Sequence, residues 1–193
     1  MDLTQGTEQE KQNRAKKMML WFGIISLIMS FAGLTSAFIV SSSREDWLTN
    51  FDLPDAFWVS TVVIVISSVT MFLAKKALKD GNRNLTTILL ILTFLLGVVF
   101  VVNQFNGFNQ IIASGFNFTG PTSNVTMSYV YIIAAVHIAH VVAGLIALLV
   151  VIYNHFKQKY NASNMLGFEL ASTFWHFVDV LWLYLFFFLY FFR

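Results

Sequence analysis

Five stretches of this chain, residues 18–40, 56–74, 85–105, 127–153 and 168–192, hold no lysine or arginine, and the only acids in them are Glu169 and Asp179. Each is close to the roughly 17–25 apolar residues that a helix needs to cross the hydrocarbon of a bilayer. Strands with open edges are excluded there, because lipid offers their amides no hydrogen-bond partner. The expected fold is therefore all-α, an integral membrane bundle of five transmembrane helices. Composition agrees, with 57% of the 193 residues hydrophobic and 11% charged, against roughly 45–50% and about 25% in soluble domains. Cysteine is absent, which removes disulfides, thiolate metal sites and cysteine nucleophiles together. A net charge of +2 is too small to suggest nucleic acid as a partner.

The segments between the runs set the orientation. Ten of the twelve basic residues fall on one side: Lys11, Arg14, Lys16 and Lys17 before the first span, Lys75, Lys76, Lys79 and Arg83 after the second, Lys157 and Lys159 after the fourth. The opposite side has Arg44 and Arg193. Positive residues are retained in the cytoplasm, so residues 1–17 are expected to form a cytoplasmic N-terminal segment, 18–193 the five-helix domain, and the C-terminus to lie outside, in the periplasm. Lys16 and Lys17 followed by an apolar run ending near Ala37 also resemble a signal peptide. The long leading region with Asp2, Glu8 and Glu10 favours a retained first span.

A charge at the centre of a spanning helix costs about 2.5–3.5 kcal/mol on insertion scales, so ionisable residues inside spans normally face protein. Here they are His137 and His140 in the fourth span and Glu169, His176 and Asp179 in the fifth. At a rise of about 1.5 Å per residue, His140 and Asp179 lie at nearly the same depth near the midplane and are expected to pair. Glu169 and His176, seven residues apart, share a helix face, with Asp179 about 60° away from His176. Three chemistries fit such a stripe. Interhelical hydrogen bonding would bring about 0.6–2 kcal/mol per contact. Metal or haem ligation would use His137 and His140, an i, i+3 pair, although the first three spans add no acid or histidine. A proton relay through Glu169, His176 and Asp179 would likewise lack a continuation in those spans, and so would run beside another subunit's path.

The small and hydroxylated Ser60, Thr61, Ser67, Ser68 and Thr70 of the second span suit close helix packing. Trp21, Trp47 and Trp58 sit where interfacial anchors belong. Trp175 and Trp182, seven apart and on one face, are expected to pack in the bundle or against lipid chains.

The fifth span carries the most specific pattern. Gly167-Phe168-Glu169, followed after a gap of residues by Trp175-His176-Phe177-Val178-Asp179-Val180 and Trp182, resembles the C-terminal signature of cytochrome c oxidase subunit III, with Leu181 in place of a valine. His137 and His140 through Val141 to Gly144 resemble the family's HxxHVxxG. Leu53-Pro54, Phe57 to Thr61 and Ser67 to Thr70 resemble its proline, tryptophan and Ser-Ser segment. The resemblance implies a subunit without haem or copper of its own, packed on subunit I of a haem-copper oxidase beside subunit II, with haem and copper in those partners. The complex would reduce oxygen with electrons from cytochrome c and pump protons, within the respiratory chain or a larger respiratory assembly. Subunit III would bind phospholipid in a cleft and support oxygen access and proton uptake. Five spans suit the short bacterial form, in the inner membrane. The resemblance carries over His137, His140, Glu169, His176 and Asp179, with Trp175 and Trp182, as a structural or lipid-cleft set with no catalytic or metal-binding residue among them.

Two positions depart from the family. Where it often has a glutamate after a serine in the first of these helices, Ser26 is followed by Leu27, and where histidines commonly precede the GFE motif, Asn164 and Met165 stand. Both weaken the relay reading. The alternatives are subunit III of a quinol oxidase, a homologue associated with nitric oxide reductase, and a free-standing multi-pass transporter or haem protein.

Overall fold

The computed structural model describes residues 7–48, 52–120, 123–160 and 164–192. Five helices follow one another: α1 Glu8–Ser41, α2 Asp55–Lys79, α3 Arg83–Ala113, α4 Val125–Phe156 and α5 Leu166–Phe191. Each is long and apolar enough to span a membrane, as the apolar runs predict, and the described residues form no extended strand.

Several helices run past the apolar segments. α1 begins near the N-terminus because Thr7 and Glu10 form a reciprocal cap: the Glu10 carboxylate accepts from the Thr7 amide at 2.9 Å and the Thr7 hydroxyl from the Glu10 amide at 3.3 Å. α3 continues past residue 105, where the third apolar run ends, through Asn106 and Gly107 to Ala113. Its buried positions explain this. Leu90, Thr93, Gly97, Phe100, Gln104, Gly107 and Ile111 repeat in alternating steps of three and four, the seam of a left-handed helix pair. α2 presents the matching series Ser60, Ile64, Ser67, Met71, Ala74 and Leu78. Polar composition concealed a packing period that tolerates Gln104 and Gly107 because both face inward.

The α2–α3 turn is closed by Asp80-Gly81-Asn82. The Asn82 amide donates to the Ala77 carbonyl at 2.9 Å and the Gly81 amide to Leu78 at 3.2 Å, with Gly81 at φ 75°, and the Asn82 side chain caps Leu85. One tripeptide thus ends one helix and starts the next. α4 ends on the same motif, with Lys159 donating to Asn154 at 3.0 Å, but Gln158 holds the left-handed position at φ 57°.

α2 packs on α3, α3 on α4, α4 on α5 and α5 on α2, so these four close into a ring. α1 lies outside it against α4 and α5, and among the described residues makes no close approach to α2 or α3. Trp175, Trp182, Phe57 and Phe100 of the ring and Phe31 and Phe38 of α1 are among the largest fully buried side chains. Outward faces carry exposed Met29, Val62, Ile146 and Phe187, an apolar surface suited to hydrocarbon or to another membrane protein.

Candidate functional site: the polar seam around α5

α5 is the helix to which α1, α2 and α4 are all joined. Toward α2 it makes side-chain hydrogen bonds at two levels. The Trp175 indole donates to Ser67 Oγ at 3.0 Å, the Trp182 indole to Thr61 Oγ1 at 3.0 Å, and His176 Nδ1 meets Ser68 Oγ at 2.7 Å. From Trp175 and His176 to Trp182 the partners step back along α2 from Ser67 and Ser68 to Thr61, which is antiparallel pairing. Three of the α2 hydroxyl residues, Thr61, Ser67 and Ser68, thus meet the tryptophan and histidine face of α5. Toward α1, Lys17 pairs with Glu169 at 3.0 Å and Thr35 meets the Tyr184 hydroxyl at 3.2 Å.

Trp175 also accounts for a glycine of the fourth span. A Cβ added at Gly144 would lie 3.0 Å from its ring, and one at Gly97 of α3 2.6 Å from it and 2.8 Å from Leu145. The indole occupies the space that two side chains would need, so the ring reaches from α5 past α4 to α3 at this level.

The structure separates His140 from Asp179. The register that sets Gly144 beside Trp175 does bring the two level, four residues further along each helix. Helical phase nevertheless turns His140 toward α1, with its ring 5.7 Å from that of Phe31, and its Nδ1–H donates to the Val136 carbonyl at 2.7 Å. Neither oxygen of buried Asp179 has a hydrogen-bond partner. The Ser68 hydroxyl approaches Asp179 without meeting hydrogen-bond geometry. The expected pairing is thus corrected: depth was right and the lateral direction was not, because a helix residue's neighbour is fixed by its angle as well as its height. Ser68, His176 and Asp179 have the residue types of a hydrolytic triad without its arrangement, since a triad carboxylate would bind the imidazole and Asp179 does not.

His137 is fully buried with both ring nitrogens unpartnered. Around it stand Phe31 at 6.3 Å, Phe100 at 5.8 Å and Trp182 at 5.2 Å between ring centroids. Such a box suits an imidazole used as an aromatic, and the two histidines of α4 flank one phenylalanine instead of converging on a common point. Among the described residues no three His, Asp or Glu side chains come together as a metal-ligand group.

Sequence reasoning missed Gln104, fully buried on α3 with both amide atoms unpartnered, and the Thr70–Thr93 hydroxyl pair at 2.8 Å. The alternating three- and four-residue repeat of α3 was the signal that could have found them. Of the tryptophans expected at the interfaces, Trp21 and Trp58 are exposed. Trp47 instead turns inward, 4.8 Å from Phe38.

Comparison with known proteins adds a family. The family model described as cytochrome c oxidase subunit III matches residues 4–193. Cytochrome bo(3) ubiquinol oxidase subunit 3 of Pseudomonas aeruginosa is 33% identical over 133 residues, covering 69% of this chain and 62% of that protein. A probable cytochrome c oxidase subunit 3 of Rickettsia felis is 34% identical over 142 residues, covering 72% and 48%. Cytochrome c oxidase subunit 3 of Pelomedusa subrufa is 31% identical over 188 residues, covering 91% and 68%. The matched regions are thus between about half and two thirds of these relatives' lengths.

Proposed function

The chain belongs to the cytochrome c oxidase subunit III family, and from that premise we propose that it is the non-redox third subunit of a proton-pumping cytochrome c oxidase in a bacterial inner membrane. It is a multi-pass membrane protein whose match to the family runs over residues 4–193, and that extent is the observation on which the proposal rests. In this reading haem and copper belong to subunits I and II, which oxidise cytochrome c and reduce oxygen. This chain packs on subunit I, binds phospholipid and supports oxygen access and proton uptake. The seam supports a scaffold role. The indole and imidazole bonds hold α5 to α2, the Lys17–Glu169 pair ties it to α1, and His137, His140 and Asp179 do not converge on a ligand point.

Purification in mild detergent tests the assignment. Copurification with a haem-bearing subunit, and oxygen uptake sustained by reduced cytochrome c, are the expected results. A chain that purifies alone with its own haem spectrum would overturn the proposal. A second reading, subunit III of a quinol oxidase, is favoured by the likeness to the Pseudomonas aeruginosa ubiquinol oxidase subunit. Oxygen uptake driven by a quinol and not by cytochrome c would select it.

A further inference from the structure

Two layers of the helix ring are built on one plan. In the first, Trp175 of α5 lies over Gly97 of α3 and Gly144 of α4. Seven residues further along α3 and α5, and seven back along α4, stand Gln104, Trp182 and His137, and a step of seven returns a helix to within about 20° of the same face. Gln104 therefore shares the face by which Gly97 meets α4 and α5. Ring contacts fix this second layer: His137 lies 5.2 Å from Trp182 and 5.8 Å from Phe100 between centroids, and Phe57 closes on Trp182 at 5.6 Å.

The glycines of the first layer make room for an indole, whereas the second carries a carboxamide and an imidazole, both at 0% exposure. Neither amide atom of Gln104 and neither nitrogen of His137 meets a hydrogen-bond partner. Four buried polar atoms orphaned together are a group that folded chains rarely leave unserved. Trp182 does not serve them, because its N–H is given to Thr61. Direction brings the two side chains together. Tyr131 donates to the Phe108 carbonyl and Arg83 to that of His155, which makes α3 and α4 antiparallel and sets Gln104 level with Ala134, about one turn from His137. Helical side chains lean toward their own N-terminus, so Gln104 and His137 lean toward each other. Ala134, fully buried between them, contributes only a methyl.

We propose that Gln104 and His137 bind internal water between α3 and α4. Water both donates and accepts, so one molecule takes a bond from Gln104 Nε2 and gives one to an imidazole nitrogen. Enclosed polar sites hold such molecules through two to four bonds. The water completes a polar link at the centre of the ring, between the Arg83–His155 and Tyr131–Phe108 bonds that join the same two helices on either side of it. It does not depend on the oxidase assignment.

The test is electron cryomicroscopy of the full chain, with any subunits that accompany it, at a resolution that shows ordered water. The expected result is density within about 2.7–3.2 Å of both the Gln104 amide and a His137 nitrogen. A layer without such density, or a direct bond between Gln104 and His137, would overturn the proposal. Unfolding midpoints in detergent give an independent readout. Gln104→Met and His137→Phe each remove one partner of the water and should lower the midpoint by about 2–4 °C. The double variant should recover most of that loss, because an apolar layer leaves nothing orphaned. Two groups that share no water would act independently, so effects of the single variants that add in the double, whether as losses or as gains, would also overturn the proposal.

Discussion

Trp175 illustrates how much one side chain can organise. Its indole N–H is buried and satisfied by Ser67, and its ring takes the space above Gly97 and Gly144. Trp175→Phe keeps an aromatic ring but removes the N–H that Ser67 Oγ accepts, leaving that hydroxyl its 3.5 Å bond to the Thr93 carbonyl, and should lower stability by about 1–3 kcal/mol, read from the unfolding midpoint in detergent. Gly97→Ala should cost a similar amount, about 1–3 kcal/mol, because the new methyl meets both Trp175 and Leu145. Asp179 is the contrasting case. It is buried without a partner, so Asp179→Asn should leave the midpoint unchanged or raise it. A loss of about 3–5 kcal/mol would instead reveal a paired charge. At the exposed α1–α2 connection, Arg44 bonds the Asp46 carboxylate at 2.8 Å, which holds Asp46 below its ordinary value of 3.8 and raises Arg44. A depressed carboxyl stabilises above its unfolded value and loses that contribution as pH falls through its folded one. The difference between wild type and Asp46→Asn should therefore be present at neutral pH and vanish in acid below about pH 4, as measured by midpoints across a pH series.

The histidines and the aspartate announced themselves as residues, but the elements that join them obey helical angle. Span four and span five each carried a recognisable polar pattern, yet His176, Trp175 and Trp182 of α5 meet Ser68, Ser67 and Thr61 of α2, and Glu169 meets Lys17 of α1. Serine and threonine in a spanning helix have many uses, and nothing local distinguishes those that meet an indole from those that return to their own backbone, as Ser60 does to Ala56. Helix ends follow local capping chemistry at Thr7 and Asn82, which the apolar runs alone do not record. The α4 terminus carries a small cost of this kind: Gln158 occupies a left-handed position at φ 57° that glycine fills without steric penalty. Gln158→Gly should stabilise the end of α4, by up to about 1 kcal/mol, seen as slower amide exchange at Lys159.

For the molecule as a whole, the arrangement of a four-helix ring with α1 leaning on one edge has consequences for its stability. α1 is held from one side only, so its amides should exchange faster than those of α2, which packs on both α3 and α5; equal protection would show that a partner covers the free side. The absence of cysteine makes the orientation directly testable. A single Glu45→Cys should react with an impermeant maleimide in intact cells, and Asp80→Cys only after permeabilisation, if the basic connections face the cytoplasm. Sequence by itself determined that this chain is a five-helix membrane protein of one family, because hydrocarbon forces every backbone amide into a helix and because the GFE and WHFVD patterns are local in the chain. Only the tertiary structure decided that His140 turns away from Asp179, that Gln104 is interior, and that α5 is fastened to α2 through serine and threonine. Those facts depend on the relative rotation of whole helices, which packing across the bundle sets and a linear pattern does not record.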